Sequence, residues 1–127
     1  MTHALAVSRV LVIEDNDSIA AALHFIILRE GMLCDRISSG NGAMDRIRDT
    51  RPDVVLLDVM LPAVSGYDIC RQIRSDTSLG AVRILMMTAR GSARERQKAL
   101  ALGADGLVTK PFDLTRLRGE LHRLTAV

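Results

Sequence analysis

Val54-Val55-Leu56-Leu57-Asp58-Val59-Met60-Leu61-Pro62 is the stretch around which the chain is organised. Four consecutive apolar residues run straight into a carboxylate, and two of them are β-branched. The run is too short for a helix. It reads as a strand buried on both faces, the signature of a central strand in a parallel sheet. Asp58 then stands where that strand ends, and in open α/β sheets ligands bind at this edge. Pro62 and Gly66 break the chain soon afterwards, so Asp58 opens a loop. Ending a strand or capping a turn is also a common fate for an aspartate. The remaining strand ends have to decide between these readings.

Upstream, Arg9-Val10-Leu11-Val12-Ile13 predicts the first strand, ending in Glu14-Asp15. Asp17 is positioned to cap a helix over 18–30, and Gly31 suits the left-handed position after it. Within that helix Ile19, Leu23, Ile26 and Ile27 share a face that meets the sheet. Residues 32–37 form a weaker strand, interrupted by Asp35 and Arg36 as at a sheet edge. Gly40 and Gly42 open a short helix to about Asp49, and Pro52 stops it.

Downstream, a helix is expected over 67–75, with Ser65 and Asp68 spaced as a capping box. A strand follows over 83–88, ending in Thr88. Ser92 and Glu95 repeat the capping pattern ahead of a helix to about Leu102, which Gly103 ends. Leu107-Val108-Thr109 is a short last strand leading into Lys110-Pro111. Asp113 caps the final helix, over 114–124, in which Gly119 costs roughly 1 kcal/mol relative to Ala. Strict β-α alternation argues for a parallel sheet covered by helices on both faces. Right-handed crossovers fix most of the topology.

Composition sets the outer bounds. A chain of 127 residues, 48% hydrophobic and 25% charged, is one globular domain with a real core. The net charge of +2 and 2% aromatic content provide no stacking platform for single-stranded nucleic acid, so no direct nucleic-acid contact is expected. No run is apolar enough to span a membrane, and Met1–Ser8 lacks the basic-then-apolar order of a signal peptide, so the expected location is cytoplasmic. Cys34 and Cys70 form no CxxC, and His3, His24 and His122 lie far apart. Two buried, reduced thiols are expected rather than a zinc site.

In a parallel sheet all the strand ends lie on one edge. With strand order 2-1-3-4-5, the first and third strands are neighbours about 4.8 Å apart. Glu14, Asp15 and Asp58 then crowd together. Three carboxylates so close repel one another, and a cation is implied. Only oxygen donors are on offer, which suits Mg²⁺. Lys110 supplies a second positive charge and Thr88 a hydroxyl donor. Together these parts make a phosphoryl-transfer site, with Asp58 as nucleophile and an acyl phosphate as product.

At this point the chain resembles the receiver domain of two-component response regulators. The matching pieces are Val10 to Asn16, Leu56 to Pro62, Ser65-Gly66, Met87-Thr88-Ala89, Gly103-Ala104-Asp105 and Lys110-Pro111-Phe112. The likeness covers about 9–124 and implies a flavodoxin-like, doubly wound fold: one receiver domain over 1–127, with no effector domain. It implies that Asp58 takes a phosphoryl group from a sensor histidine kinase or histidine phosphotransfer protein, with Thr88 and Lys110 assisting. The domain then switches conformation to control a partner or output domain not named by the sequence. It implies that Asp15, Asp58 and the backbone carbonyl of Met60 bind Mg²⁺, with Glu14 acting through water, and that Lys110-Pro111 is cis. Such a domain is no enzyme beyond catalysing its own phosphorylation and dephosphorylation.

Two departures from the family stand out. Leu107 occupies the switch position where the family usually carries an aromatic ring, and Gly106 and Glu120 replace the Asp and Arg of one known dimer face. Met60 and Arg90, two residues beyond Asp58 and Thr88, are expected to modulate the lifetime of the phosphorylated state. Ser18, Ala22 and Phe25 are expected on the outer face of the first helix, as the kinase-side docking surface. The rival readings are an unphosphorylated interaction module, and a dehalogenase-like phosphatase. The latter needs a second Asp two residues after the nucleophile, where this chain has Met60.

Overall fold

The computed structural model describes residues 7–125. Its elements in order are β1 (Arg9–Ile13), α1 (Asp17–Arg29), β2 (Leu33–Ile37), α2 (Ala43–Thr50), β3 (Val54–Asp58) and α3 (Gly66–Ser75). A single 3₁₀ turn (Thr77–Leu79) precedes β4 (Arg83–Thr88), α4 (Ala93–Ala101), β5 (Gly106–Thr109) and α5 (Leu114–Thr125). The five strands form one sheet in the order β2-β1-β3-β4-β5, every pair parallel. Fold class, strand order and alternation agree with the sequence reading.

Successive side chains of a strand point to opposite faces. That alternation splits the core in two. Leu11, Ile13, Val55, Leu57, Ile84, Met86 and Leu107 pack with Ile47, Ile69, Ile73 and Ala99 under α2, α3 and α4. Val10, Val12, Val54, Leu56, Leu85, Met87 and Val108 pack with Leu23, Ile27, Leu117 and Leu121 under α1 and α5. β3 is buried throughout, which is why it reads as an unbroken apolar run. Each fully buried Leu or Ile contributes about 1.5–3 kcal/mol relative to exposure.

Register places the site. Ile13 stands beside Leu57, Asp58 beside Met87, and Thr88 beside Thr109, so Glu14, Asp58, Thr88 and Lys110 leave the sheet at one edge.

Several local expectations are corrected. Asn16, not Asp17, caps α1: its Oδ1 accepts from the Ile19 N–H at 3.0 Å. Both residues have cap chemistry, and the helix starts at the second. On α1 the fully covered residues are Ala20, Leu23 and Ile27, while Ile19 and Ile26 are half-buried. Ser65 does cap α3, but its Oγ accepts from the Tyr67 N–H, and Asp68 pairs with Arg71 instead of reaching back. Ser92 accepts from the Glu95 N–H at 3.2 Å, whereas the Glu95 carboxylate takes the Tyr67 hydroxyl. Gly42 alone is the N-cap of α2; Gly40 is buried ahead of it. Cys70 is buried as expected, but Cys34 on the edge strand is only half-buried, and partial burial pushes its thiol up to about 11. The 3₁₀ turn, capped by Asp76, adds an element to the β-α alternation and buries Leu79.

Candidate functional site

Where β1 ends, the ladder runs one residue further, with the Glu14 N–H donated to the Ile37 carbonyl at 3.1 Å. The Glu14 side chain turns inward and is 1% exposed. Its Oε1 lies 2.6 Å from Lys110 Nζ, and its Oε2 accepts from the Asn16 N–H at 3.1 Å. Asp58 ends β3 at 4% exposure. One carboxylate oxygen, Oδ1, accepts from the Met60 N–H at 3.0 Å, and the other lies 3.0 Å from the same Lys110 Nζ. A single ammonium thus bridges two buried carboxylates contributed by different strands. The Lys110 N–H is held by the Thr88 carbonyl at 2.8 Å, and the Lys110-Pro111 bond is cis.

The electrostatics follow from these contacts. Burial by itself lowers the affinity of Lys110 for its proton. The hydrogen bonds and charges of Glu14 and Asp58 outweigh it and leave the lysine above its ordinary pKa. Lys110 is therefore a fixed positive charge at neutral pH. Asp15 is exposed beside the pair. Glu14, Asp15 and Asp58 each offer one carboxylate oxygen, and these lie within 4.8 Å of one another. An all-oxygen donor set with two buried members fits a hard divalent cation.

Thr88 is 5% exposed, and its Oγ1 accepts from the Arg90 N–H at 3.0 Å. The following loop is exposed from Ala89 to Ser92. Met60 is 78% exposed, while its N–H is tied to Asp58. The loop after Asp58 is closed by Gly66, whose N–H donates to the Val59 carbonyl at 3.0 Å. A Cβ at Gly66 would lie 2.1 Å from the Asp58 carbonyl oxygen, so no other residue fits there without moving Asp58.

Of the residues singled out in the sequence, Glu14, Asp15, Asp58, Thr88 and Lys110 meet at this edge. Leu107 does not: it is 3% exposed, paired with Met86 and packed in the core beneath α3 and α4. Ser18, Ala22 and Phe25 all lie on the exposed side of α1, and Phe25 is 62% exposed with the Arg29 guanidinium 5.5 Å from its ring centroid.

The sequence reading missed two groups. Arg36, which in the sequence only interrupts the apolar run of an edge strand, reaches Glu14. Tyr67 ties α3 to α4 through Glu95, with Lys98 Nζ 4.2 Å from its ring centroid. Both contacts cross between elements, and no local spacing announces them.

Comparison with known proteins agrees with this fold. The family model described as the response regulator receiver domain matches residues 10–122. The phosphate regulon transcriptional regulatory protein PhoB of Rhizobium meliloti is 38% identical over 116 residues, covering 91% of this chain and 51% of its own length. The sensory transduction protein RegX3 of Mycolicibacterium smegmatis is 39% identical over 118 residues, covering 90% of this chain and 50% of its own. The chain therefore spans about half the length of these relatives. Among solved structures, the chemotaxis protein CheY4 of Vibrio cholerae superposes with a TM-score of 0.86 at 28% identity, covering 94% of this chain and 99% of its own.

Proposed function

The chain belongs to the response regulator receiver family, and on that footing we propose that Asp58 accepts a phosphoryl group from a phosphohistidine donor. A carboxylate oxygen of Asp58 forms the new P–O bond as the P–N bond to the donor imidazole breaks, and the imidazole nitrogen keeps the electron pair. Lys110, already charged and within 3.0 Å of Asp58, pairs with the incoming phosphoryl oxygens. Thr88 accepts from the Arg90 N–H, which leaves its own hydroxyl proton to give to another of those oxygens. Asp15, Asp58 and the Met60 backbone carbonyl would hold Mg²⁺, with Glu14 acting through water; when bound, the ion offsets charge on the transferring group. The observation that carries this reading is the Lys110 ammonium bridging buried Glu14 and Asp58 beside Asp15.

The phosphodonor is a sensor histidine kinase or a histidine phosphotransfer protein, docking on Ser18, Ala22 and Phe25. The domain catalyses only its own phosphorylation and the loss of that group, and it controls a partner or output domain rather than touching nucleic acid itself. Among the described residues no helix is long and apolar enough to cross a membrane, and a cytoplasmic setting fits a kinase partner.

Incubation with acetyl phosphate and Mg²⁺ should add one phosphoryl mass to the wild type and none to Asp58→Asn. Phe25→Ala should label normally with acetyl phosphate yet accept more slowly from its protein donor. Labelling of Asp58→Asn at another residue overturns the first assignment, and unchanged transfer in Phe25→Ala the second.

A further inference from the structure

Arg36 belongs to β2, the edge strand, and its side chain reaches past the end of β1. Nε and Nη2 both donate to the Glu14 carbonyl, at 3.0 and 2.7 Å, and Nη1 lies 2.9 Å from Asp17 Oδ1. Glu14 is therefore held at both backbone polar groups: its N–H by the Ile37 carbonyl, its C=O by the guanidinium fork. That C=O belongs to the peptide joining Glu14 to Asp15. The two residues that this peptide joins both belong to the carboxylate cluster, and the Glu14 side chain also meets Lys110. A planar fork fixes a carbonyl in direction as well as distance, which a lysine ammonium does not do. The Arg36 side chain is 27% exposed, so these contacts are partly shielded from solvent.

We propose that Arg36 is a positioning residue of the cation site: by clamping the Glu14–Asp15 peptide it keeps the carboxylates of Glu14, Asp15 and Asp58 gathered for a divalent cation. This rests on the Mg²⁺ part of the function proposed above and not on phosphoryl transfer. The sign of one measurement separates positioning from a simple field effect. Arg36 is a positive charge near the cluster, so its field alone opposes a cation, and removing it would tighten Mg²⁺ binding. Positioning demands the reverse.

The test is a Mg²⁺ titration of the full chain, followed through the amide shifts of Asp15, Asn16 and Val59. Arg36→Met should raise the Mg²⁺ Kd about tenfold, the usual size of loss when a residue orienting a metal ligand is removed. Arg36→Lys, which keeps the charge and loses the fork, should also raise it. Asp17→Asn removes the charge of the Nη1 partner but leaves the fork on the Glu14 carbonyl untouched, and should leave the Kd close to wild type. If Arg36→Met does not fold, as judged by amide dispersion, Arg36→Lys decides. A wild-type chain that binds Mg²⁺ while the Arg36 variants bind it equally well or more tightly overturns the proposal. A wild-type chain that binds no Mg²⁺ removes it together with the cation reading. Mg²⁺ binding without labelling of Asp58 leaves the proposal standing and defeats only the phosphoacceptor assignment.

Discussion

Asp58 and Thr88 are buried, but the residues two positions beyond them are not. Met60 and Arg90 stand in solvent, each with its backbone N–H tied to the side chain it follows, to Asp58 Oδ1 and to Thr88 Oγ1. We propose that they flank the path of a water attacking a phosphoryl group on Asp58, where a bulky thioether and a long cationic chain would hinder the water rather than align it. Self-hydrolysis should accordingly be slow. Replacing both by Asn and Ser should speed decay of the phosphorylated form by about tenfold, a barrier change of roughly 1.4 kcal/mol. Decay followed by mass at fixed Mg²⁺ checks this, and an unchanged rate removes the idea.

At the scale of elements, the strands were the most legible part, because apolar runs of four or five residues leave little choice. The helix starts were less so. Asn16 and Asp17 offer the same cap chemistry one residue apart, and only the backbone decides which serves. The strand-end residues of the site could be read because a parallel sheet brings all such ends to one edge. The clamps from Arg36 and Tyr67 could not, since they depend on how far a long side chain reaches between elements. One feature of α5 was plain in both: Gly119 lies mid-helix, and no heavy atom stands within 4 Å of a Cβ built there. Gly119→Ala should therefore stabilise the domain by about 0.5–1 kcal/mol, read as a higher denaturation midpoint at unchanged m-value. A lower midpoint would mean that this face of α5 is covered by something a methyl group disturbs.

At the scale of the whole molecule, the proposed phosphorylation of Asp58 would place roughly two negative charges beside Thr88 and Lys110. It can shift a conformational equilibrium only by its differential affinity for the two states. Leu107 is already packed against the core under α3 and α4 and has no hydroxyl to move towards the site. The response should therefore concentrate in Ala89–Leu102, where the exposed loop meets α4, an element with only Ala99 fully buried and its Glu95 and Lys98 joined to Tyr67. With a phosphoryl mimic on Asp58, amide shifts should be largest over 89–102 and small at Leu107 and α5. Equal changes at Leu107 and α5 would show that the last strand relays the signal.

The division of the core into two halves carries one more consequence. α1 lies on one side of the sheet with α5, and α4 on the other with α2 and α3. If the phosphodonor docks on the outer side of α1 as proposed, and α4 carries the response, delivery and readout would have separate addresses on this small domain, and a downstream protein would not have to wait for the upstream one to depart.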